Sequence, residues 1–176
     1  MRRKNTTTRM LKQSIIDSFL LLLKDSDYEQ ITISEITGTA GVNRSTYYRH
    51  FTSKDDIICA YYENLLVEHM QTTPLPDLAE MEGYLCKLFL IMAEHKDELL
   101  LIYRSGRSHL LLRVFNQYFI DKSNRTDDLR TYYHAGGIFN CNLFWFEHDM
   151  DMEPRELAAL AVSAFPQDFI SFVRHS

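Results

Sequence analysis

The chain has 176 residues, a formal net charge of −5 and 45% hydrophobic residues. That length suffices for one sizeable core or for a small domain joined to a larger one, and the net acidity argues against a generic polyanion binder. Phe19 to Leu23 is a short apolar run between Asp17 and Lys24, far below a bilayer crossing, so a cytoplasmic protein with no membrane partner is expected. Cys59, Cys86 and Cys141 form no C-x-x-C pair and read as reduced core thiols.

Hydrophobic periodicity predicts helices from end to end and no convincing strand. The first helix is expected over Thr8–Lys24, with Leu11, Ile15, Phe19 and Leu22 on one stripe. Thr32 and Glu35 make a capping box for a short helix with Ile33, Ile36 and Ala40 on its apolar face. Gly41 supplies a left-handed stop and Val42 plugs the turn. Asn43 is placed to N-cap a second short helix, Arg44 to Phe51, and Ser53 with Asp56 opens a longer one to about Met70. Thr72–Pro76 is the clearest break. A second capping box, Asp77 with Glu80, precedes a helix over Leu78–Lys96, with Met81, Leu85, Leu88, Phe89 and Met92 inward. Further helices are expected over Lys96–Arg104, Ser108–Asp121 (core positions Leu111, Leu112, Phe115 and Phe119), Asp127–His148, Arg155–Phe165 and Gln167–Arg174.

The two short helices and the turn between them form a helix-turn-helix, whose second helix lies in the DNA major groove. Arg44, Ser45, Thr46, Tyr47, Tyr48, Arg49 and His50 put donors and aromatic surface on that helix, with little apolar mass to bury. Charge is distributed to match. Residues 1–55 hold nine Lys/Arg and six Asp/Glu, while the remainder holds ten and eighteen. A basic head on an acidic body fits a protein that presents one end to DNA.

The window Thr32, Ile33, Ile36, Ala40, Gly41, Val42, Asn43, Thr46, Tyr47, Tyr48, His50, Phe51, Ser53, Lys54 and Ile57 resembles the DNA-binding domain of the TetR family of bacterial transcriptional regulators. It departs from the family pattern at Thr37, Asn43 and Ser45. The resemblance implies an all-α fold: an N-terminal three-helix helix-turn-helix domain (1–54) followed by a helical regulatory and dimerisation bundle (55–176). It implies double-stranded operator DNA as partner. Arg44, Ser45, Thr46 and Tyr47 are candidates for base-edge and nearby contacts. Tyr48, His50, Lys54 and Thr32 are candidates for phosphates, and Asn43 for the start of the helix.

Gly136 and Gly137 sit inside a long helix rich in bulky residues, where glycine is unfavourable unless another helix approaches closely. Leu143 to Phe146 are four consecutive large apolar residues that cannot all face one core. The resemblance implies dimerisation through the last two long helices. It makes Gly136, Gly137, Asn140, Phe144, Leu157, Phe165 and Phe169 the expected homodimer interface. The run Tyr132 to Phe139 is also similar to a subgroup of such regulators that includes the activator of a dihydroxyacetone-kinase operon. A body of this kind implies a small-molecule effector or an adaptor protein. Tyr61, Tyr84, Phe89, Tyr103, Phe115, Tyr118 and Tyr133 are the candidate pocket residues, being apolar with polar tips; plain core is the competing reading.

Catalysis finds no support. His134, Cys141 and His148 recur at seven-residue intervals rather than at the i, i+4 spacing of helical metal ligands. Phosphate-binding glycine loops and nucleophile elbows are also missing. No cofactor or metal is expected. The sequence reads as a sequence-specific DNA-binding regulator, a repressor rather than an activator, acting as a homodimer on a palindromic operator; the competing reading is an adaptor-binding regulatory module, or an activator without a small-molecule ligand.

Overall fold

The structure, a computed structural model, describes residues 2–72, 80–118 and 129–164. Among these residues it is helical without a strand: α1 (Arg2–Asp25), α2 (Ile33–Thr39), α3 (Arg44–His50), α4 (Lys54–Thr72), α5 (Met81–Glu94), α6 (Lys96–Arg104), α7 (His109–Asn116), α8 (Leu129–Glu147) and α9 (Pro154–Ser163). The all-α expectation is met. The expected capping box at Asp77 lies outside the described residues, as do Phe119, Phe165, Phe169 and the last predicted helix.

α1 is longer than predicted and buries a wider arc than one stripe. Ile15, Ile16, Phe19, Leu20 and Leu23 are buried, while Leu11 and Leu22 are only half-buried at the margins. The reason is tertiary: α1 is flanked by α2, α4 and α6, so apolar neighbours arrive from several sides. α2 ends in a Schellman stop. Gly41 takes φ +64°, its N–H donates to the Gly38 carbonyl at 3.2 Å, and the Val42 N–H donates to that of Thr37 at 3.0 Å. The same device ends α6 at Gly106 (φ +75°), where the Arg107 N–H reaches the Ile102 carbonyl at 3.2 Å. Both turns place the following residue where it is needed, Val42 against the core and Arg107 against the head.

In the body, α9 packs chiefly along α5, and α7 lies between α4 and α8. The run Leu143 to Phe146 divides as its length requires. Trp145 and Phe146 are buried, Leu143 is half-buried and Phe144 is 45% exposed. Trp145 meets Phe89 edge-on at 5.7 Å between ring centroids, and its indole N–H donates to the Met152 carbonyl at 2.9 Å. A large apolar ring with its one polar atom satisfied is a stable core element. One contiguous hydrophobic core runs from Ile15 in α1 through α4 to Ala161 in α9.

Because a Cβ added to Gly41 meets nothing within 4 Å, the cost of Gly41→Ala is conformational rather than steric. We expect this substitution to destabilise the protein by about 1 kcal/mol in urea titration. An unchanged midpoint would mean that the turn tolerates another backbone path.

Candidate nucleic-acid interface

α3 has only seven residues, too few to be stable alone, and its orientation comes from what it buries. Tyr47 is fully buried and Phe51 almost so, their rings 5.9 Å apart at i, i+4 spacing. Anchoring these two turns the opposite side outward: Arg44, Ser45, Tyr48 and Arg49 are exposed, and Thr46 and His50 are half-buried beside them. Arg44 and Tyr48 touch through a long 3.5 Å contact, which leaves both side chains free to meet a ligand. The face carries no acid among α3's own residues.

Several candidate residues are relocated by the geometry. Tyr47 belongs to the core and cannot reach a base edge; burial pushes its phenol up to about 12, and its buried hydroxyl has no hydrogen-bond partner. Thr32 is committed to the cap of α2. Its Oγ1 accepts from the Glu35 N–H at 3.2 Å, and the Glu35 carboxylate accepts from the Thr32 N–H at 2.8 Å and hydroxyl at 2.7 Å. These bonds hold Glu35 below the usual carboxylate range, so a negative charge stands where a phosphate contact was expected. Lys54 is also engaged within the chain. Its Nζ donates to the carbonyls of Tyr28 and of Ile31 (2.9 Å for Ile31) and lies 4.3 Å from the Tyr28 ring centroid.

Asn43 changes in the other direction. It occupies the N-cap of α3 with extended backbone angles, yet its side chain makes no capping bond and is exposed. The amide is therefore available beside Arg44. The cap of α4 forms as predicted: the Asp56 N–H donates to Ser53 Oγ at 3.2 Å, and Asp56 Oδ2 accepts from the Ser53 N–H at 3.1 Å.

Sequence reasoning gave no contact role to Arg49 or Lys12. Arg49 lies next to Tyr48 on the outward face, a position that helical spacing from Arg44 and Ser45 already marks. Lys12 of α1 comes near His50 only through the tertiary fold, its ammonium 6.0 Å from the Phe51 ring. Partial burial, then Lys12 and Arg49, pull His50 below the usual histidine range.

The aromatic pocket candidates do not gather around one opening. Tyr61, Tyr84, Phe89 and Phe115 are buried in the core, and Tyr103 and Tyr118 are half-buried. Tyr133 is 65% exposed and points away from that core. An open groove of about 300 Å³ lies instead between α8 and α9, lined by Gly137, Asn140, Cys141, Phe144, Leu157, Leu160 and Ala161. None of the seven pocket candidates lines it, whereas four of the residues expected at a dimer interface do.

Two substitutions separate contact from architecture. Tyr47→Phe removes a hydroxyl without a partner and is expected to leave thermal stability unchanged or raised. Lys54→Ala leaves two loop carbonyls without their donor and is expected to lower stability by about 1 kcal/mol. Paired thermal denaturation reads both, and a destabilised Tyr47→Phe would show that its hydroxyl is engaged after all.

Known proteins can now be set beside this geometry. The sequence profile for bacterial regulatory proteins of the tetR family matches residues 15–61, which span α1 to the middle of α4. The HTH-type transcriptional regulator YwcC of Bacillus subtilis is 30% identical over 91 residues, 52% of this chain and 41% of YwcC. The HTH-type dhaKLM operon transcriptional activator DhaS of Lactococcus lactis is 25% identical over 117 residues, 66% of this chain and 58% of DhaS. A solved structure of a dihydroxyacetone kinase operon activator DhaS superposes with a TM-score of 0.55 at 20% identity, covering 87% of this chain and 92% of that one. The sequence matches thus span 41% and 58% of the two relatives, and the structural likeness carries the fold of the body. Residues 15–61 thus match the N-terminal domain of the tetR family of bacterial regulatory proteins, and the chain shares the fold of DhaS.

Proposed function

We propose that this protein is a sequence-specific transcriptional repressor. It acts in the cytoplasm as a homodimer on a palindromic operator, and residues 55–176 control the 1–54 head allosterically. The observation that carries this reading is the outward face of α3, where Arg44, Ser45, Tyr48 and Arg49 stand exposed on a helix anchored by Tyr47. Arginine and hydroxyl side chains on such a helix can read base edges, while Tyr48, His50 and the flanking Lys12 can hold phosphates. No catalysis is assigned, since the named relatives are transcriptional regulators.

The dimer reading is supported by α8. Tyr133, Gly137, Asn140 and Phe144 are exposed at helical spacing and form one face, extended by Leu160 of α9 at 51% exposure. Among the described residues a Cβ at Gly136 or Gly137 meets nothing within 4 Å. Close packing against the described helices therefore does not account for the two glycines, whereas a second α8 laid across them would. Two heads carried on such a dimer would meet successive major grooves about 34–36 Å apart.

A small-molecule effector is supported by Tyr61 and Tyr84, whose hydroxyls are buried in the body without hydrogen-bond partners among the described residues. Unsatisfied buried hydroxyls are costly and are natural handles for a polar group. A second reading, an activator answering to an adaptor protein, is favoured by one observation: the relative sharing the longest quoted match is called an operon transcriptional activator.

Selection of bound DNA from a random pool across a salt series tests the reading, with an enriched palindrome expected. Against the selected operator, Arg44→Ala is expected to lose about 1–3 kcal/mol of discrimination at particular positions. A uniform loss at every base would make Arg44 a backbone contact instead. For the dimer, Phe144→Lys puts a charge in the groove and is expected to turn the sedimenting species into a monomer at micromolar concentration. Wild-type protein that already sediments as a monomer would remove the dimer.

A further inference from the structure

A second group of charged and aromatic contacts lies away from α3, where the body meets the head. Arg107 follows Gly106 at the end of α6, and its guanidinium lies 4.1 Å from the centroid of the Tyr28 ring, in the α1–α2 connection. Its Nη2 pairs with Glu29 at 2.5 Å, and its Nε is 3.5 Å from Asp55 Oδ1 in the first turn of α4. The Tyr28 hydroxyl donates to the same Asp55 oxygen at 2.6 Å, and Phe19 packs edge-on against the ring at 6.1 Å. Lys54 lies on this ring too, so two cations are held at one aromatic with Asp55 offsetting their repulsion. Arg113 of α7 adds a 3.7 Å pair with Asp56.

Among the described residues, the ion pair that joins the body to the 1–54 head is Arg107–Glu29, and Arg107 and Arg113 also pair with Asp55 and Asp56 in the first turn of α4, just beyond the head. The other charged contacts of α6 run the opposite way. Arg104 pairs with Asp149 at 2.9 Å and Lys96 with Asp151 at 3.5 Å, both in the α8–α9 turn. α6 is thus tied by charge to that turn and clasps the head at its end. Glu29 is largely exposed, so its ion pair contributes little to stability and its consequence lies in geometry. Arg107 hydrogen-bonds Glu29, lies beside Asp55 and stacks on a ring, which selects one placement of head against body rather than a range of them.

We propose that Arg107 is a positioning residue for α3. By clasping Tyr28, Glu29 and Asp55 it sets the placement of the head on the body, and hence the direction in which α3 meets DNA. Its consequence for DNA rests on the reading given above, while the clasp itself is testable without DNA. Spin labels at Ser45→Cys in α3 and Glu94→Cys in α5, with Cys86→Ser and Cys141→Ser, report the head–body distance in the full chain diluted with unlabelled protein.

The expected result is one narrow distance distribution that shifts or widens in Arg107→Gln, while the thermal midpoint moves by less than about 4 °C. Glu29→Gln, at a fully surface-facing partner, is expected to act in the same direction. Distributions unchanged in both variants would overturn the proposal. On the selected operator, Arg107→Gln is expected to lose at least about fivefold affinity for paired half-sites and none for a single half-site. Equal loss on both would make Arg107 a DNA contact or a folding residue and would also overturn it. Failure of the wild-type protein to bind any DNA would sink the DNA reading and leave the distance measurement to decide the clasp.

Discussion

The burial of Tyr47 and Phe51 beneath α3 is the contact on which the interface depends. A seven-residue helix has no stability of its own, and its outward residues acquire a direction only because these two rings are held against the core of the head. The turn ahead of it serves the same end. Gly41 takes the left-handed conformation that lets Val42 drop onto the core and Asn43 begin the next helix at a sharp angle. With the inward side chains placed, the face presented to solvent is determined residue by residue, and Asn43 stands at its edge with an uncommitted amide.

Head and body are not separate globules joined by a string. α4 starts at the head's last cap and runs on into the body's core, with Ile57 and Ile58 at one end and Leu65 and Leu66 further along, all buried. Apolar continuity of that kind makes the junction stiff, while the polar contacts of Arg107, Lys54 and Tyr28 determine its geometry. The pairing at this corner runs against the net charges, with the cation supplied by Arg107 of the acidic body and a carboxylate by Glu29 of the basic head. Among the described residues of the head, the exposed Lys and Arg side chains are Arg9, Lys12, Lys24, Arg44 and Arg49.

The α8–α9 side follows a different logic. Large apolar side chains such as Tyr133, Phe144 and Leu160 are exposed there, no described residue crowds its two glycines, and the groove between the helices is lined mostly by apolar side chains. Exposed apolar faces of that sort on soluble proteins mark contact surfaces. The body's fold, shared with DhaS at low sequence identity, places this face well away from α3 in the chain order. The polar outward face of α3 and this face of α8 and α9 thus belong to different helices.

Much of this was legible in the residues. The Thr32–Glu35 and Ser53–Asp56 caps, the Gly41 stop and the Lys96–Arg104 helix follow from local chemistry, since a cap or a left-handed glycine acts within a few residues of itself. The splitting of Leu143 to Phe146 between core and surface followed from helical periodicity alone. Which side of α3 faces inward did not, because Tyr47 and Tyr48 are the same residue type and only the packing of α3 against the core of the head distinguishes them. Lys54 carried a family motif, yet the distant carbonyls of Tyr28 and Ile31 decided where its ammonium went. Arg107 had no sequence signal: its partners lie about half the chain away, and long-range contacts of that kind exist only once the core has brought the helices together. The sequence by itself determined the helices, their caps and the chemistry offered to DNA. Only the tertiary structure decided which side chains remain free to use it, because burial and charge pairing belong to neighbours in space rather than in sequence.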